Sequence, residues 1–339
     1  AAELLKLVSP FGEYETRHLL NAVTGFFGVV GVFCFARYLT GSSTIGLLAA
    51  VLLVLTPRYY GHSFNNPKDI PFAAFYLWSV YLLAKAGDRW RSGEISKIAD
   101  WKLGLAMGAC MGTRPPGLVM MFYLILLFLA VRRLDNADGH TRLSLIQLVR
   151  TRLLHPVLVA VGVMFIFWPY SHLNPIINIP HALKLISHFP WNFPLMFDGQ
   201  KIMATDVPWN YMLKWYGIAT PLPHLAGFGL FLIFGAIRIF HSRTDKYIPI
   251  ILILFSMAFP LVWSIVTKAT LYDGLRHFLF LTPLMAVTGA WGFFQLYKFI
   301  HTVFSLTKRN ELVLKIVLLS VLTGGLTPVV KWNIRSHPH

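Results

Sequence analysis

Long apolar stretches, separated by short polar segments, run along most of this sequence. A helix of about 20 apolar residues crosses the ~30 Å hydrocarbon core of a bilayer. Two shorter stretches, residues 102–112 and 117–131, flank Pro115-Pro116, which predicts two half-helices that meet at a kink. We therefore expect an all-α polytopic membrane protein, a helical bundle with about ten membrane segments. The other predicted segments are residues 19–39, 45–56, 70–85, 156–170, 221–236, 248–266, 279–297 and 312–330.

Two longer polar segments interrupt this pattern. Residues 132–154 are basic and partly amphipathic, which predicts a helix lying on the membrane surface. Residues 171–220 are rich in Pro, Trp, His and Asn without low-complexity character, so we expect a folded loop with short helices. The sequence shows no boundary between soluble domains, and it predicts a single membrane-embedded domain over residues 1–339.

Composition supports the membrane assignment and limits the partners. The chain is 56% hydrophobic and 13% charged, whereas soluble domains carry about 25% charged residues. The 30 Lys+Arg outnumber the 14 Asp+Glu, but most basic residues lie in short loops between apolar segments, as the positive-inside bias predicts. We therefore expect membrane lipid, and no nucleic acid, as the partner of these charges.

The basic residues also predict an orientation. The loops after residues 39, 85, 131, 236 and 297, with their flanking basic residues, carry 18 of the 30 Lys+Arg, and the opposite face carries 11 over longer sequence. The first face is therefore predicted to be cytoplasmic. Residues 57–71, residues 171–220 and both chain ends are then on the outer side.

The outer segment at residues 57–71 reads PRYYGHSFNNPKDIP and concentrates polar chemistry between two apolar segments. Prolines bracket it, so neither neighbouring helix is expected to run through it. One interpretation is a solvated turn, and the other is a site for a ligand that is part lipid and part polar. Its candidate residues are Arg58, His62, Asn65, Asn66, Lys68 and Asp69.

Three further outer features carry candidate residues: Arg114 at the kink, the long loop, and residues 271–277. Arginine binds phosphate through its planar fork and lysine binds it as a point charge. We expect the four cations Arg58, Lys68, Arg114 and Arg276 to meet in one cationic hollow that neutralises a phosphate or pyrophosphate. Salt bridging remains the competing interpretation of Asp69 and Asp273, and interfacial packing that of His62, His277 and the loop aromatics. The remaining candidates are Trp191, Trp209, Tyr211 and Tyr272.

Motifs of other site classes do not stand out. The histidines show no H-x-x-H or H-E-x-x-H spacing, so we expect no metal site. The sequence also has no G-x-S-x-G motif, no P-loop, and no dinucleotide fingerprint in a strand–helix context.

Four segments carry a resemblance to a known family: PRYYGHSFNNPKDIPFA, LGLAMGACMGTRPPGL, ATDVPWNYMLKWYGIATPLP and LYDGLRHFLFLTPLMAV. In this order they resemble the bacterial family-39 glycosyltransferases, relatives of the protein O-mannosyltransferases in the membrane-embedded GT-C class. The resemblance covers nearly the whole chain. It implies a GT-C-like helical bundle that transfers a sugar from a polyprenyl-phosphate-linked donor. The reaction is expected on the outer side of the bacterial inner membrane, and the resemblance implies no firm cofactor.

The resemblance also implies roles for the candidates. Inverting transfer needs a carboxylate to take the acceptor proton and cations to stabilise the leaving phosphate. Asp69 matches the acidic residue of the second outer loop and is the predicted catalytic residue, whereas the usual base of the first outer loop is expected before Ala1. A further outer segment is expected after the last residue. The predicted donor-binding residues are Arg58, His62, Lys68, Arg114, Arg276 and His277, and the predicted acceptor or sugar contacts are Asn65, Asn66, Trp209, Tyr272 and Asp273.

Two other functions stay open at this point. A transporter of lipid-linked sugars would also need outer cations, although it would place ionisable residues near the bilayer midplane. A non-catalytic subunit of a larger membrane complex would keep the fold and associate with other membrane subunits. The sequence leaves open which sugar is moved and which acceptor receives it.

Overall fold

The computed structural model describes residues 10–138, 144–187, 189–241, 247–305 and 307–337, and this part of the chain is mainly helical. The helices are α1 (Glu13–Thr40), α2 (Ser43–Val54), α3 (Pro57–Asn65), α4 (Asp69–Arg91), α5 (Lys97–Thr113), α6 (Val119–Ala137), α7 (Leu145–Arg152), α8 (Leu154–Phe167), α9 (Pro169–Leu173), α10 (Pro175–Ser187), α11 (Tyr211–Ala219), α12 (Leu222–His241), α13 (Ile248–Val266), α14 (Thr282–Val303) and α15 (Lys308–Ser336). Short 3₁₀ helices cover Pro115–Leu118 and Gly274–Leu281, and two strands, β1 (Pro194–Phe197) and β2 (Gln200–Met203), form a hairpin.

Seven helices in the described residues are long and apolar enough to cross a membrane, and the number rises to nine if each of two bent pairs is one span. The chain is therefore a multi-pass, all-α membrane protein, as the apolar pattern predicts. The count is below the ten segments expected, partly because α5, with 17 residues, is not among the candidates. The helical stretch after the kink differs too, since Pro115–Ala137 reaches 23 residues rather than a half-span.

Two sequence expectations are corrected by the helix bounds. Residues 57–71 are not an open loop, because Pro57 starts α3 and Pro71 lies in the first turn of α4, where a missing N–H breaks no helical bond. Residues 132–154 are not one surface helix. Their start continues α6, residues 139–143 lie outside the described residues, and α7 and α8 meet at an angle of 43°.

By its internal contacts the chain divides into two compact units. The first unit comprises Ala1–Ala74, Leu213–Ser242 and Phe278–His339, and the second comprises Phe75–Met212 and Arg243–His277. The prediction of one domain over residues 1–339 stays a prediction.

Glycines allow close helix packing in the first unit. A Cβ at Gly227 of α12 would lie 2.7 Å from the carbonyl oxygen of Gly289 in α14, and a Cβ at Gly292 would overlap the Gly227 carbonyl. Within a bilayer, helices associate through such close van der Waals contact, since lipid tails are as apolar as the side chains. α14 is accordingly buried along most of its first half.

In the second unit a buried hydrogen-bond chain compensates for a proline. Pro260 lies inside α13 and has no N–H to give to the carbonyl of Ser256 one turn earlier. The Tyr76 hydroxyl of α4 donates to that carbonyl at 2.7 Å, and the Tyr123 hydroxyl lies 3.1 Å from the Tyr76 hydroxyl. Backbone groups at membrane depth need such internal partners.

Ion pairs join α4 to α5 and α6 in the same unit. Arg89 bonds Asp100 at 2.7 Å, while Asp135 accepts from Arg91 at 2.7 Å and from Arg152 at 3.0 Å. These side chains are largely buried. Removing Asp100 would therefore leave the charge of Arg89 uncompensated, whereas Asp135 has two arginine partners.

The hairpin is a feature that the sequence analysis did not predict. Asp198 and Gly199 connect β1 to β2, both with positive φ (52° and 74°). An Asp-Gly pair favours this tight two-residue turn because glycine carries no Cβ and aspartate tolerates left-handed backbone.

Candidate functional site

The first candidate region begins where α2 gives way to α3 with a bend of 69°. Pro57 occupies the first turn of α3, where its fixed φ suits a helix start. α3 packs against α1, and the glycines of α1 allow the two helices to approach closely. The Tyr59 hydroxyl donates to the Gly25 carbonyl at 3.0 Å, and a Cβ at Gly28 would overlap that hydroxyl.

Asn66 caps the start of α4. Its Oδ1 accepts from the backbone N–H of Asp69 at 3.0 Å and of Lys68 at 3.3 Å, and Pro67 follows it directly. An asparagine cap followed by proline is a favoured helix start, because the side chain satisfies N–H groups that have no helical partner. Residues 66–69 are called the capping turn below.

The capping turn holds the predicted catalytic residue. Asp69 is 3% exposed, and its Oδ2 accepts from the Asn66 amide at 2.7 Å. The same amide nitrogen lies 3.2 Å from Nδ1 of His62, so that Nδ1 accepts and the ring proton resides on Nε2. A carboxylate in the first turn of a helix is also stabilised by the helix dipole. This arrangement presents a fixed carboxylate and an oriented imidazole at one helix end.

Two cations of the first unit differ in their surroundings. Lys68 is exposed beside Asp69, as is Asn65 at the end of α3. Arg58 is half-buried, with its guanidinium carbon 5.3 Å from the ring centre of Trp215, a cation–π contact. The next residue, Tyr216, anchors α11 by donating to the Phe278 carbonyl at 2.6 Å, and burial raises the pKa of its phenol.

In the second unit, Arg114 lies in the break between α5 and the 3₁₀ helix at Pro115–Leu118. Its backbone is extended (φ −149°, ψ 139°), as expected for a residue before proline. Its N–H still reaches the Cys110 carbonyl at 3.4 Å, so the helix ends at this residue. The predicted kink at residues 113–116 is therefore present.

The 271–277 segment, also in the second unit, combines an ion pair with stacked rings. Arg276 donates to Asp273 at 2.9 Å, and both side chains are substantially exposed. Tyr272 lies with its ring centre 4.4 Å from that of His277 and 5.1 Å from that of Trp191, the latter pair stacked. The competing interpretation of Asp273, a salt bridge, is thus the contact that the structure contains.

Two aromatic residues of the long loop, Trp209 and Tyr211, differ in their exposure. Trp209 is exposed, whereas Tyr211 is buried and its hydroxyl accepts from the Gly274 N–H at 3.3 Å. Tyr211 therefore supports the backbone of the 271–277 segment through this hydrogen bond, whereas the Trp209 ring is exposed.

The sequence-predicted residues thus fall in two sets, one in each unit. Arg58, His62, Asn65, Asn66, Lys68 and Asp69 belong to the first unit, and Arg114, Trp209, Tyr272, Asp273, Arg276 and His277 belong to the second. The meeting of the four cations in one hollow stays a prediction.

Sequence reasoning missed two polar side chains that contact the first set of elements, Asn21 and His224. Both are almost completely buried, at 4% and 1% exposure, in helices predicted as plain membrane segments. An amide or imidazole within an apolar span is the signal that was available. For metals, the described residues contain no group of three or more His, Cys, Asp or Glu side chains placed to hold an ion.

The sequence was compared with protein-family models, and the structure with solved structures. Residues 11–169 match the family model described as dolichyl-phosphate-mannose-protein mannosyltransferase. Among solved structures, ArnT from Cupriavidus metallidurans in the apo state is similar, with a TM-score of 0.58 and 16% identity over 86% of this chain and 47% of that chain. The chain has the GT-C glycosyltransferase fold.

Further structures show the same GT-C fold. The oligosaccharyltransferase of Archaeoglobus fulgidus in the apo form gives a TM-score of 0.62 at 11% identity, over 98% of this chain and 47% of that chain. ArnT bound to undecaprenyl phosphate gives 0.59 at 14% identity, over 98% of this chain and 63% of that chain. The chain therefore spans about half the length of the first two structures. No curated protein sequence matches it significantly.

Proposed function

We propose that this protein is a glycosyltransferase that moves a sugar from a polyprenyl-phosphate donor to an acceptor on the outer face of the bacterial inner membrane. The GT-C fold supports the transferase class. The donor class is supported by the matched family model, which names dolichyl-phosphate-mannose. It is also supported by two similar structures, ArnT bound to undecaprenyl phosphate and the archaeal oligosaccharyltransferase AglB in complex with dolichol-phosphate.

The observation that carries the proposal is the buried Asp69 carboxylate held by the Asn66 amide at the start of α4. A charged group near hydrocarbon is costly and is retained for a partner or a function. Asp69 orients the acceptor hydroxyl in our proposal, and Asn66 and His62 fix its direction. The exposed Lys68 beside it supplies positive charge for a phosphate.

In the proposed reaction the acceptor oxygen bonds to the anomeric carbon of the sugar. The bond between that carbon and the phosphate oxygen breaks, and polyprenyl phosphate leaves with the electron pair. A carboxylate takes the hydroxyl proton, so the step is general-base catalysis with inversion. Cationic side chains stabilise the charge that develops on the leaving phosphate.

The remaining candidates take the roles that the family resemblance implies. Arg58, Arg114, Arg276 and His277 are each proposed as donor-binding residues. The proposed sugar or acceptor contacts are Asn65, Trp209, Tyr272 and Asp273. A non-catalytic subunit within a larger membrane assembly is the alternative that the experiment below separates from this proposal.

The test uses the protein reconstituted in phosphatidylglycerol-containing liposomes with a panel of undecaprenyl-phosphate-linked sugars and a membrane extract as acceptor source. Mass spectrometry measures the release of undecaprenyl phosphate. We expect release with at least one donor, and loss of about 10² or more in turnover for Asp69→Asn. Asp206→Asn, at an exposed aspartate of the long loop, is the matched control and should retain turnover. Release from no donor, or equal turnover in both variants, contradicts the proposal.

A further inference from the structure

Helix α3, which leads into the capping turn, is flanked by two prolines that each remove a backbone donor. Pro57 begins the helix and Pro67 follows its end. Each proline leaves the usual i+4 partner of an earlier carbonyl missing. In a membrane protein such carbonyls need another donor, because hydrocarbon offers none. At the second end a side chain of a different helix supplies that donor directly, and at the first end such a side chain bonds the carbonyl one residue before the one that faces Pro57.

At the first end, the donor is His224 of α12. Since Pro57 has no N–H for the Leu53 carbonyl, the Thr56 N–H bonds Leu53 instead, at 3.1 Å. The Leu52 carbonyl thereby loses the Thr56 N–H that would bond it in a continuing helix. His224 Nε2 lies 2.6 Å from this carbonyl, and the Thr56 hydroxyl donates to it at 3.0 Å.

The contact with His224 has a defined direction. A carbonyl only accepts, so Nε2 carries the proton and donates to Leu52. Nε2 also lies 3.1 Å from the Thr56 hydroxyl, whose residue directly precedes α3. His224 therefore contacts both the last turn of α2 and the residue before α3, the two sides of the 69° bend.

At the second end, the donor is Asn21 of α1. Pro67 cannot bond the Ser63 carbonyl, and the Asn21 amide donates to that carbonyl at 2.9 Å. The same amide nitrogen donates to the His62 carbonyl, also at 2.9 Å. Asn21 therefore binds the last turn of α3 three and four residues before Asn66.

We propose that Asn21 and His224 are positioning residues that hold α3, and through it the Asn66–Asp69 pair, in the geometry needed for transfer. The inference rests on the function proposed above. Neither side chain touches Asp69 in the contacts described; each acts through the backbone of α3 or of the bend before it. A displacement of about 1 Å in a catalytic group can lower turnover by ~10²-fold, so two backbone anchors have a measurable effect.

Four single variants test the proposal. His224→Phe and Asn21→Leu each remove a donor without introducing a charge, and His224→Gln keeps a donor. Thr24→Val is the matched control, because Thr24 lies one turn after Asn21 on α1 and its hydroxyl donates within its own helix, to Leu20. Hydrogen exchange measured by mass spectrometry reports on α3, donor turnover gives kcat and KM, and thermal melting excludes global unfolding.

We expect His224→Phe and Asn21→Leu to speed amide exchange in residues 57–66 and to lower kcat by about 10-fold or more. His224→Gln should recover most of both, and Thr24→Val should change neither. Faster exchange with unchanged kcat and KM overturns the positioning role, and unchanged exchange overturns the anchoring itself. If the unmodified protein releases undecaprenyl phosphate from no donor, the proposed function fails, and exchange alone then decides whether the two residues hold α3.

Discussion

The capping turn and the 271–277 segment both contain an aspartate close in sequence to a cation. The two aspartates differ in their exposure and in their bonding partners. Asp69 is 3% exposed and is bonded by the Asn66 amide. The Asp273 side chain is 56% exposed and is paired with Arg276, itself 41% exposed. The comparison teaches that burial and the type of partner, rather than the presence of an acidic residue, single out a candidate catalytic carboxylate.

The largest expected effect separates the two aspartates directly. Asp69→Asn should reduce release of undecaprenyl phosphate by about 10² or more, because the carboxylate is proposed to orient the reacting hydroxyl. Asp273→Asn should reduce it only a few-fold. Asparagine tolerates the left-handed backbone of Asp273 (φ 57°), so that variant tests charge without adding strain. A greater loss at Asp273 than at Asp69 would reverse the comparison.

The next effect tests the packing beneath α3. Gly28→Ala places a methyl group onto the Tyr59 hydroxyl, and overpacking of this kind costs about 1–3 kcal/mol. We expect a lower melting temperature and faster amide exchange in residues 57–66. Gly162→Ala is the control, because a Cβ there meets no atom within 4 Å. Equal melting temperatures for the two variants would show that α3 tolerates a shift.

A smaller loss is expected when the cap of α4 is removed. Asn66→Ala leaves the N–H groups of Lys68 and Asp69 without their side-chain acceptor, which typically costs about 1 kcal/mol. Urea unfolding in detergent measures this change. Because the same amide bonds Asp69, turnover should fall more than stability accounts for. Turnover that follows stability alone would assign Asn66 a purely structural role.

The smallest effect concerns the exposed pair. Arg276→Ala should change the free energy of unfolding by less than about 1 kcal/mol, since exposed ion pairs contribute little. If Arg276 binds the donor phosphate, the KM for the donor should nevertheless rise, while Lys268→Ala leaves KM unchanged. A KM equal to that of the unmodified protein in both variants would remove Arg276 from the proposed donor site.

Much of the fold was predictable from the length of the apolar stretches alone. Spans such as α1, α13 and α14 follow from the need to cross the bilayer, and the break at Arg114 follows from Pro115. Three local structures were readable but were not predicted. They are α3, with Pro57 in its first turn, the cap of α4 at Asn66-Pro67, and the Asp198-Gly199 hairpin.

The rest of the candidate site depends on tertiary contacts. The bond from Asn21 to the end of α3 joins residues 41 and 42 positions apart, and the bond from His224 to Leu52 joins residues 172 positions apart. Local pattern predicts which residues are polar within a span, but not which helix receives them. The different environments of Asp69 and Asp273 could not be predicted for the same reason.

Pro260 has a consequence for how the second unit forms in the membrane. When α13 is alone in lipid, the Ser256 carbonyl lacks a partner, whereas docking of α4 supplies the Tyr76 hydroxyl. The bilayer therefore favours the docked pair over separated helices, beyond the contribution of shape complementarity. A proline that weakens one helix in isolation thus makes the association of that helix with a particular neighbour more selective.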